Sequence, residues 1–442
     1  MKSRKNVPIL AVIGRPNVGK STLFNRIIGR RKANVYNQPG LTRDRNYEIS
    51  SWEDREFLLI DTGGYDTAEQ DHITARIREQ VLMSIDEADA IIFLTEVGLP
   101  DNIVDEEIMN ILRRSGKPFI LTVNKCDTPG RQSEAWTFTS MGVEEVYPVS
   151  AEHGLGIGEM LDAAVAEFPP SAREENEAED EIRIAVVGRQ NAGKSTLVNR
   201  ILGEDRVIAG PLAGTTRDAV DSPFYFNGQK YLIIDTAGIR RRGKVQKGAE
   251  HLSVMSSIMS IHRSDVSILM IDGPQGITNQ DAHVGGYIYE EKKAAIIAVN
   301  KWDECEKDAG TAGKYAKIIR REFNFLPFAP IIFMSALTGQ RTNRLFQIID
   351  EIMPQYRKKI DTSSLNDVLE DIIRKHPPPT SSGKQLKIKY VTQTGIQPPT
   401  FTLFVNNPTL MHFTYKRYLR NQFSENLGLD KTPVILKLRR KS

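Results

Sequence analysis

At 442 residues the chain has room for about three domains of ordinary size. Hydrophobic residues make up 40% and charged residues 26%, within the soluble globular range, and no run reaches the ~20 apolar residues of a membrane helix. The net charge of +3 hides an asymmetry. From Gln355 onward sixteen Lys and Arg face six Asp and Glu, a net +10 that leaves −7 on the rest. A basic module on a mildly acidic body points to a polyanionic partner. The two cysteines, Cys126 and Cys305, have neither metal-ligand spacing nor a disulfide framework, which fits a reducing cytoplasm.

The apolar run Val7 to Ile13 is too short for a secretion leader's core and ends in a glycine-rich motif. It reads as the first of a series of buried strands, at 8–14, 45–51, 55–61, 90–95, 118–123 and 145–149. Helical patterns lie near 20–29, 103–115 and 157–166. The acidic stretch Arg173 to Glu181 reads as a linker that repels itself. Strands follow again near 182–188, 219–226, 229–235, 266–272, 294–299 and 330–334. The alternation predicts mostly parallel sheets with helices on both faces. The remainder reads helix (364–375), strand (385–392), strand (400–406), helix (412–426), strand (433–438), a small α+β unit. Prolines 377–379 stop its first helix. The expected limits are 1–170, a linker 171–181, 182–354 and 355–442.

The first two units are copies. Gly14-Arg15-Pro16-Asn17-Val18-Gly19-Lys20-Ser21 recurs as Gly188-Arg189-Gln190-Asn191-Ala192-Gly193-Lys194-Ser195, an offset of 174. Thr42 recurs as Thr216, and Asp61-Thr62-Gly63-Gly64 as Asp235-Thr236-Ala237-Gly238, at the same offset. Asn124-Lys125-Cys126-Asp127 recurs as Asn300-Lys301-Trp302-Asp303 at 176, and Ser150-Ala151 as Ser335-Ala336 at 185. A constant offset that grows late means one duplicated domain with later insertions.

Each motif has a chemical reason. A strand followed by GxxxxGKS and a helix is a phosphate-binding loop: backbone N–H groups close on phosphates, Lys20 or Lys194 reaches the β/γ oxygens, and Ser21 or Ser195 can ligate Mg²⁺. Asp61 or Asp235, at a strand end, can hold that Mg²⁺ through water, and Gly64 or Gly238 can offer an N–H to the γ-phosphate. Thr42 and Thr216 sit where a hydroxyl and an N–H can sense both Mg²⁺ and γ-phosphate. The carboxylates of Asp127 and Asp303 can accept from the N1–H and 2-amino group of guanine. Adenine offers neither donor, so the pattern specifies GTP. Asn124, Lys125, Asn300 and Lys301 brace that loop and cover the base, and Ala151 and Ala336 can offer an N–H to the guanine oxygen.

On these duplicated motifs, the Ile239-Arg240-Arg241-Arg242-Gly243-Lys244 run and the basic tail, the chain resembles the EngA (Der) family of tandem GTPases across essentially its whole length. The resemblance implies two P-loop GTPase domains with a KH-like C-terminal domain, GTP hydrolysis with Mg²⁺, and ribosomal RNA and the large ribosomal subunit as partners in its assembly. A cytoplasmic monomer without a membrane partner is expected. Leu41 stands where the second copy has Thr215, and Glu96-Val97 where it has Asp272-Gly273, as if the first copy tolerated drift.

Tyr65 and Ile239 occupy the position of a water-orienting glutamine, and neither can orient water through a side-chain amide. In similar GTPases the asparagine equivalent to Asn17 and Asn191 helps ligate K⁺; the other reading is an asparagine that satisfies the loop backbone. The run Arg240 to Lys247 reads equally as a state-dependent contact or a solvated loop. In the tail, Lys384, Lys387 and Lys389 along one strand, with Tyr415-Lys416-Arg417-Tyr418-Leu419-Arg420 on the next helix, suit phosphate contact and base stacking. The bland reading of that helix puts its tyrosines partly in the core. A competing function is a GTP-binding RNA scaffold with negligible turnover.

Overall fold

The computed structural model describes residues 7–29, 47–61, 81–82, 84–98, 102–169, 181–203, 208–209, 221–236, 249–305, 310–381 and 384–441. They pack as two compact units, one ending at 169 and the other beginning at 181.

The first unit holds strands β1 (Ile9–Ile13), β2 (Tyr47–Trp52), β3 (Arg55–Asp61), β4 (Ala90–Glu96), β5 (Phe119–Asn124) and β6 (Val146–Pro148). Its helices are α1 (Lys20–Gly29), α2 (Ile103–Ser115), α3 (Pro129–Ala135) and α4 (Ile157–Ala166). The sheet runs β2-β3-β1-β4-β5-β6, parallel except for β2 against β3. Leu10, Val12, Ile92 and Leu94 of its central strands are buried against Leu23, Met160 and Leu161 from the helices. Strands covered on both faces read as unbroken apolar runs, which is why β4 is apolar from Ala90 to Leu94. Asn102 caps α2 by accepting from Val104 N and Asp105 N, and left-handed Gly116 ends it.

The second unit repeats this plan with β7 (Ile182–Val187), β8 (Ile208–Ala209), β9 (Ser222–Phe226), β10 (Gln229–Ile233), β11 (Val266–Asp272), β12 (Ala294–Asn300) and β13 (Ile331–Phe333), in the order β13-β12-β11-β7-β10-β9-β8. Its helices are α5 (Lys194–Gly203), α6 (Ala249–Arg263), α7 (Asn279–Glu290), α8 (Thr311–Glu322) and α9 (Thr342–Tyr356). In both sheets the strand before the phosphate-loop motif lies between its neighbours at the point where strand order reverses. That is where open α/β sheets leave a crevice for ligands.

The C-terminal module belongs to the second unit. It comprises α10 (Thr362–Lys375), the short pair β14 (Thr380–Ser381) and β15 (Lys384–Gln385), β16 (Ile388–Gly395), β17 (Thr400–Val405), α11 (Phe413–Asn426) and β18 (Ile435–Arg440). β17 pairs antiparallel with β16 and parallel with β18. Leu365, Leu369 and Ile372 of α10 and Leu419 and Phe423 of α11 share one core with Val391, Phe401 and Leu403 of the sheet.

Two expectations for this module need correction. Lys384, Lys387 and Lys389 do not share one strand: Lys384 lies on β15, Lys387 between strands and Lys389 at a register shift in β16. Tyr415 is 4% exposed, and its hydroxyl donates to His376 O at 2.9 Å. Tyr418 is half-buried, and its hydroxyl donates to Ile372 O. The helix tyrosines fasten α11 to α10 and are not free for bases.

The expected limit at 354/355 falls in the last turn of α9, which continues past Pro354 to Tyr356. Lys431 reaches back to that turn: its Nζ lies 2.6 Å from Glu351 Oε2, and its N donates to Gln355 Oε1 at 2.9 Å. Glu181, the last residue of the expected linker, pairs with Lys230 at 2.7 Å.

Candidate nucleotide-binding sites

Both phosphate loops leave the C-terminal end of a buried strand and enter a helix. Their glycines are forced by space and backbone together. Gly19 has φ +100°, and an added Cβ would lie 2.3 Å from Asn124 Nδ2; Gly193 has φ +95° with Asn300 Nδ2 at 2.1 Å. Asn17 and Asn191 are left-handed, with φ 66° and 64°. Asparagine tolerates that conformation better than most residues. The lysines follow the loop: Lys20 Nζ donates to Gly14 O at 2.9 Å and Arg15 O at 2.8 Å, and Lys194 Nζ to Gly188 O at 2.7 Å and Arg189 O at 2.6 Å. An ammonium is thereby centred over each ring of backbone.

The base-reading loops are tied to the phosphate loops by one side chain each. Asn124 Nδ2 donates to Val18 O at 2.7 Å, and its Oδ1 accepts from Ala151 N at 2.9 Å. Asn300 does the same with Ala192 O at 2.9 Å and Ala336 N at 2.8 Å. Buried Ser150 donates to Asp127 Oδ1 at 2.6 Å, which fixes the carboxylate, while Ser335 Oγ accepts from Thr338 N at 3.1 Å. Cys126 and Trp302 fill the variable position inward. Cys126 is fully buried, and burial pushes its thiol up to about 11. Trp302 packs on Phe333 with ring centroids 4.4 Å apart.

The copies differ at the magnesium motif. Asp61 is the last residue of β3, and Ser21 Oγ donates to its Oδ2 at 2.7 Å. These two hard oxygen donors, side by side, fit Mg²⁺. Asp235 stands beyond the end of β10 in left-handed conformation (φ 57°), and its Oδ2 accepts from Ser256 Oγ of α6. Thr42, Thr62, Gly63, Gly64 and Tyr65 lie outside the described residues, as do Thr216, Ala237, Gly238, Ile239 and the run Arg240 to Lys247. Pro16 and Gln190 complete the two loops at matching positions.

A charge network absent from the motif reading surrounds each site. Lys125 Nζ pairs with Glu96, which also accepts from Arg15 Nη2 at 2.6 Å; Arg15 Nε reaches buried Asp105 at 3.2 Å. In the second copy Lys301 Nζ pairs with buried Asp272 at 2.6 Å, and Arg189 Nε lies 3.6 Å from buried Asp281. Glu96 against Asp272 is therefore no drift: both carboxylates take the lysine of the base loop. Burial opposes the charge on Glu96, and hydrogen bonds from Lys125 and Arg15 overcome it and hold the carboxyl below its ordinary range. Burial raises Asp105 and Asp281 instead. A signal existed: Asp105 recurs as Asp281 at 176, the offset of the base-loop motif.

A family model described as 50S ribosome-binding GTPase matches residues 9–125 and again 183–301. A second, described as the KH-domain-like C-terminal part of EngA bacterial GTPase enzymes, matches 359–439. The chain is 47% identical over 427 residues to GTPase Der of Bacillus thuringiensis (strain Al Hakam), covering 97% of this chain and 98% of that one. GTPase Der of Bacillus anthracis (strain A0248) gives the same values. Among solved structures, Era in complex with MgGDPNP and nucleotides 1506-1542 of 16S ribosomal RNA is similar at 22% identity, with a TM-score of 0.32, covering 59% of this chain and 93% of that one. Two nucleotide-site repeats, a matched C-terminal module and near-complete shared length establish that the chain belongs to the Der (EngA) family of GTPases and is a GTP-hydrolysing enzyme.

Proposed function

We propose that the two sites bind guanine nucleotides and that their state controls engagement of a large-ribosomal-subunit precursor by the chain in the cytoplasm. Lys20 and Lys194 leave the loop carbonyls for β/γ-phosphate oxygens. Asp127 and Asp303 accept from guanine, and Ala151 and Ala336 donate to it. Ser21, Thr42 and Asp61 would hold Mg²⁺ in the first site, and Ser195, Thr216 and Asp235 in the second, where it would supply positive charge to the phosphates. Asn17 and Asn191 would help hold K⁺, which would supply positive charge where Tyr65 and Ile239 offer no water-orienting amide.

The observation that carries the coupling is α9. Its Asp350 accepts from the hydroxyl of Tyr231 on β10 at 3.1 Å, and its last turn holds Lys431 of the basic module. β10 leads directly into the nucleotide-sensing segment that begins at Asp235. A change there has a packed route to the module.

The test is co-sedimentation of the full chain with ribosomal subunits, for wild type, Lys20→Ala and Lys194→Ala, each with GDP and with a non-hydrolysable GTP analogue. Affinity should differ between nucleotide states by about 1–3 kcal/mol and fall steeply with salt. Equal binding in both states, or full nucleotide dependence in Lys194→Ala, overturns the proposal.

A further inference from the structure

The aromatic side chains of the C-terminal module divide into two sets. Tyr415 and Tyr418 turn inward. Tyr390 and Phe404 turn the other way. They are register partners on β16 and β17, and their rings stack with centroids 4.3 Å apart and planes 14° apart. Phe404 is in turn the register partner of Arg439 on β18. Because side chains alternate along a strand, Lys437 and Lys441 share the face of Arg439, and all three are exposed. Lys441 Nζ stands 4.3 Å from the centroid of Tyr390, and the guanidinium carbon of Arg439 6.0 Å from that of Phe404. The opposite face, with Val391, Leu403 and Leu436, is buried under the helices. Strands β16, β17 and β18 contain no Asp or Glu.

We propose that this sheet face is a stacking platform for single-stranded RNA. The proposal rests on the reading of the chain as an RNA-engaging protein and names the surface and the form of RNA. The half-buried rings face each other, so a base stacks on the outer face of either ring, and Lys441 and Arg439, which lie over those faces in the free chain, swing with Lys437 to the backbone phosphates. A duplex keeps its bases stacked within, so it can use the cations but not the rings. A protein partner would gain little, because the rings stand among threonines and cations that offer scant apolar area.

The experiment measures dissociation constants of the full chain for a labelled single-stranded uridine oligomer of about twelve nucleotides and an RNA duplex of about equal length. Wild type should favour the single strand. The double variant Tyr390→Leu/Phe404→Leu should weaken single-strand binding at least about tenfold and leave duplex binding little changed. Tyr390→Phe, which keeps the π-face, should bind like wild type. The pair Lys437→Ala/Arg439→Ala should flatten the salt dependence by about 1.4 in logarithmic slope, two phosphates' worth. GTP hydrolysis without RNA should be unchanged in all variants, which certifies their folding. If wild type binds neither RNA nor ribosomal subunits, the broader RNA reading fails and the platform with it. If wild type binds the oligomer and the leucine pair binds it equally, the platform alone is overturned. Preference for the duplex overturns it too. So does a leucine pair that loses subunits but keeps the oligomer, since the face would then dock on protein.

Discussion

The side-chain amide of Asn124 donates to the carbonyl of Val18 at 2.7 Å, joining the base loop to the phosphate loop across 106 positions of chain. Its oxygen accepts from Ala151 N at 2.9 Å, so one buried side chain holds three segments. Asn124→Ala leaves a carbonyl and an N–H buried without partners. It should cost about 2–4 kcal/mol of first-unit stability and weaken binding of a fluorescent GDP analogue there. Asn300→Ala should do the same in the second unit. Unchanged unfolding and affinity in both variants would show that the bridge is dispensable.

Asp303→Asn exchanges the carboxylate for an amide that can donate to a 2-oxo group. GTP affinity at the second site should fall about 100-fold, while xanthosine triphosphate gains. The intact first site is the internal control. The variant should therefore bind one equivalent of each nucleotide from an equimolar mixture, as read by equilibrium dialysis. Two equivalents of GTP at wild-type affinity would refute the base assignment.

Hydrolysis should run at least about tenfold faster in K⁺ than in Na⁺, a small share of the ~10³-fold that an arginine finger can supply. Replacing Asn17 and Asn191 together by Ala should erase the difference. Each asparagine already suits its left-handed backbone, so phosphate-release rates in the two salts separate the two explanations. An ion-independent wild type sinks the K⁺ reading.

Glu96 carries a depressed carboxyl, so its contribution to stability is present above the unfolded value and lost as pH falls through the folded one. Asp105 beside it is raised by burial and has the opposite sign, favouring the fold at lower pH. Glu96→Gln should therefore speed amide exchange in the peptide around Lys125 at about pH 7, with a gap to wild type that closes below the ordinary glutamate range. Hydrogen-exchange mass spectrometry, corrected for intrinsic rates, reads this directly. A gap that is constant or grows towards acid contradicts the network.

Cys126 is buried, and its thiol is pushed up to about 11. At about pH 8 it is a neutral thiol without access, and only a thiolate reacts readily. Iodoacetamide should leave it unlabelled in the folded protein and label it in urea, as read by mass spectrometry. Prompt labelling of the folded chain would mean that the base loop opens freely.

The residues by themselves determined the duplication, the alternation of strand and helix, and the chemistry of the loops. These are local: a glycine-rich turn after an apolar strand, or an aspartate after Asn-Lys, carries its meaning within a few positions. In the second copy every strand but the two-residue β8 was legible, while α6, α7, α8 and α9 were not assigned from sequence. Only the tertiary structure decided which charges meet. Arg15, Glu96, Asp105 and Lys125 become one network because β1, β4 and β5 end side by side and α2 follows β4. It likewise turned Tyr415 inward and Tyr390 outward. An aromatic residue on an amphipathic element fits either side equally well, and the choice belongs to whatever packs against it. Asp235 makes the same point: its motif matches that of Asp61, yet its backbone is left-handed and its carboxylate accepts from Ser256 of α6, a residue that no motif marks.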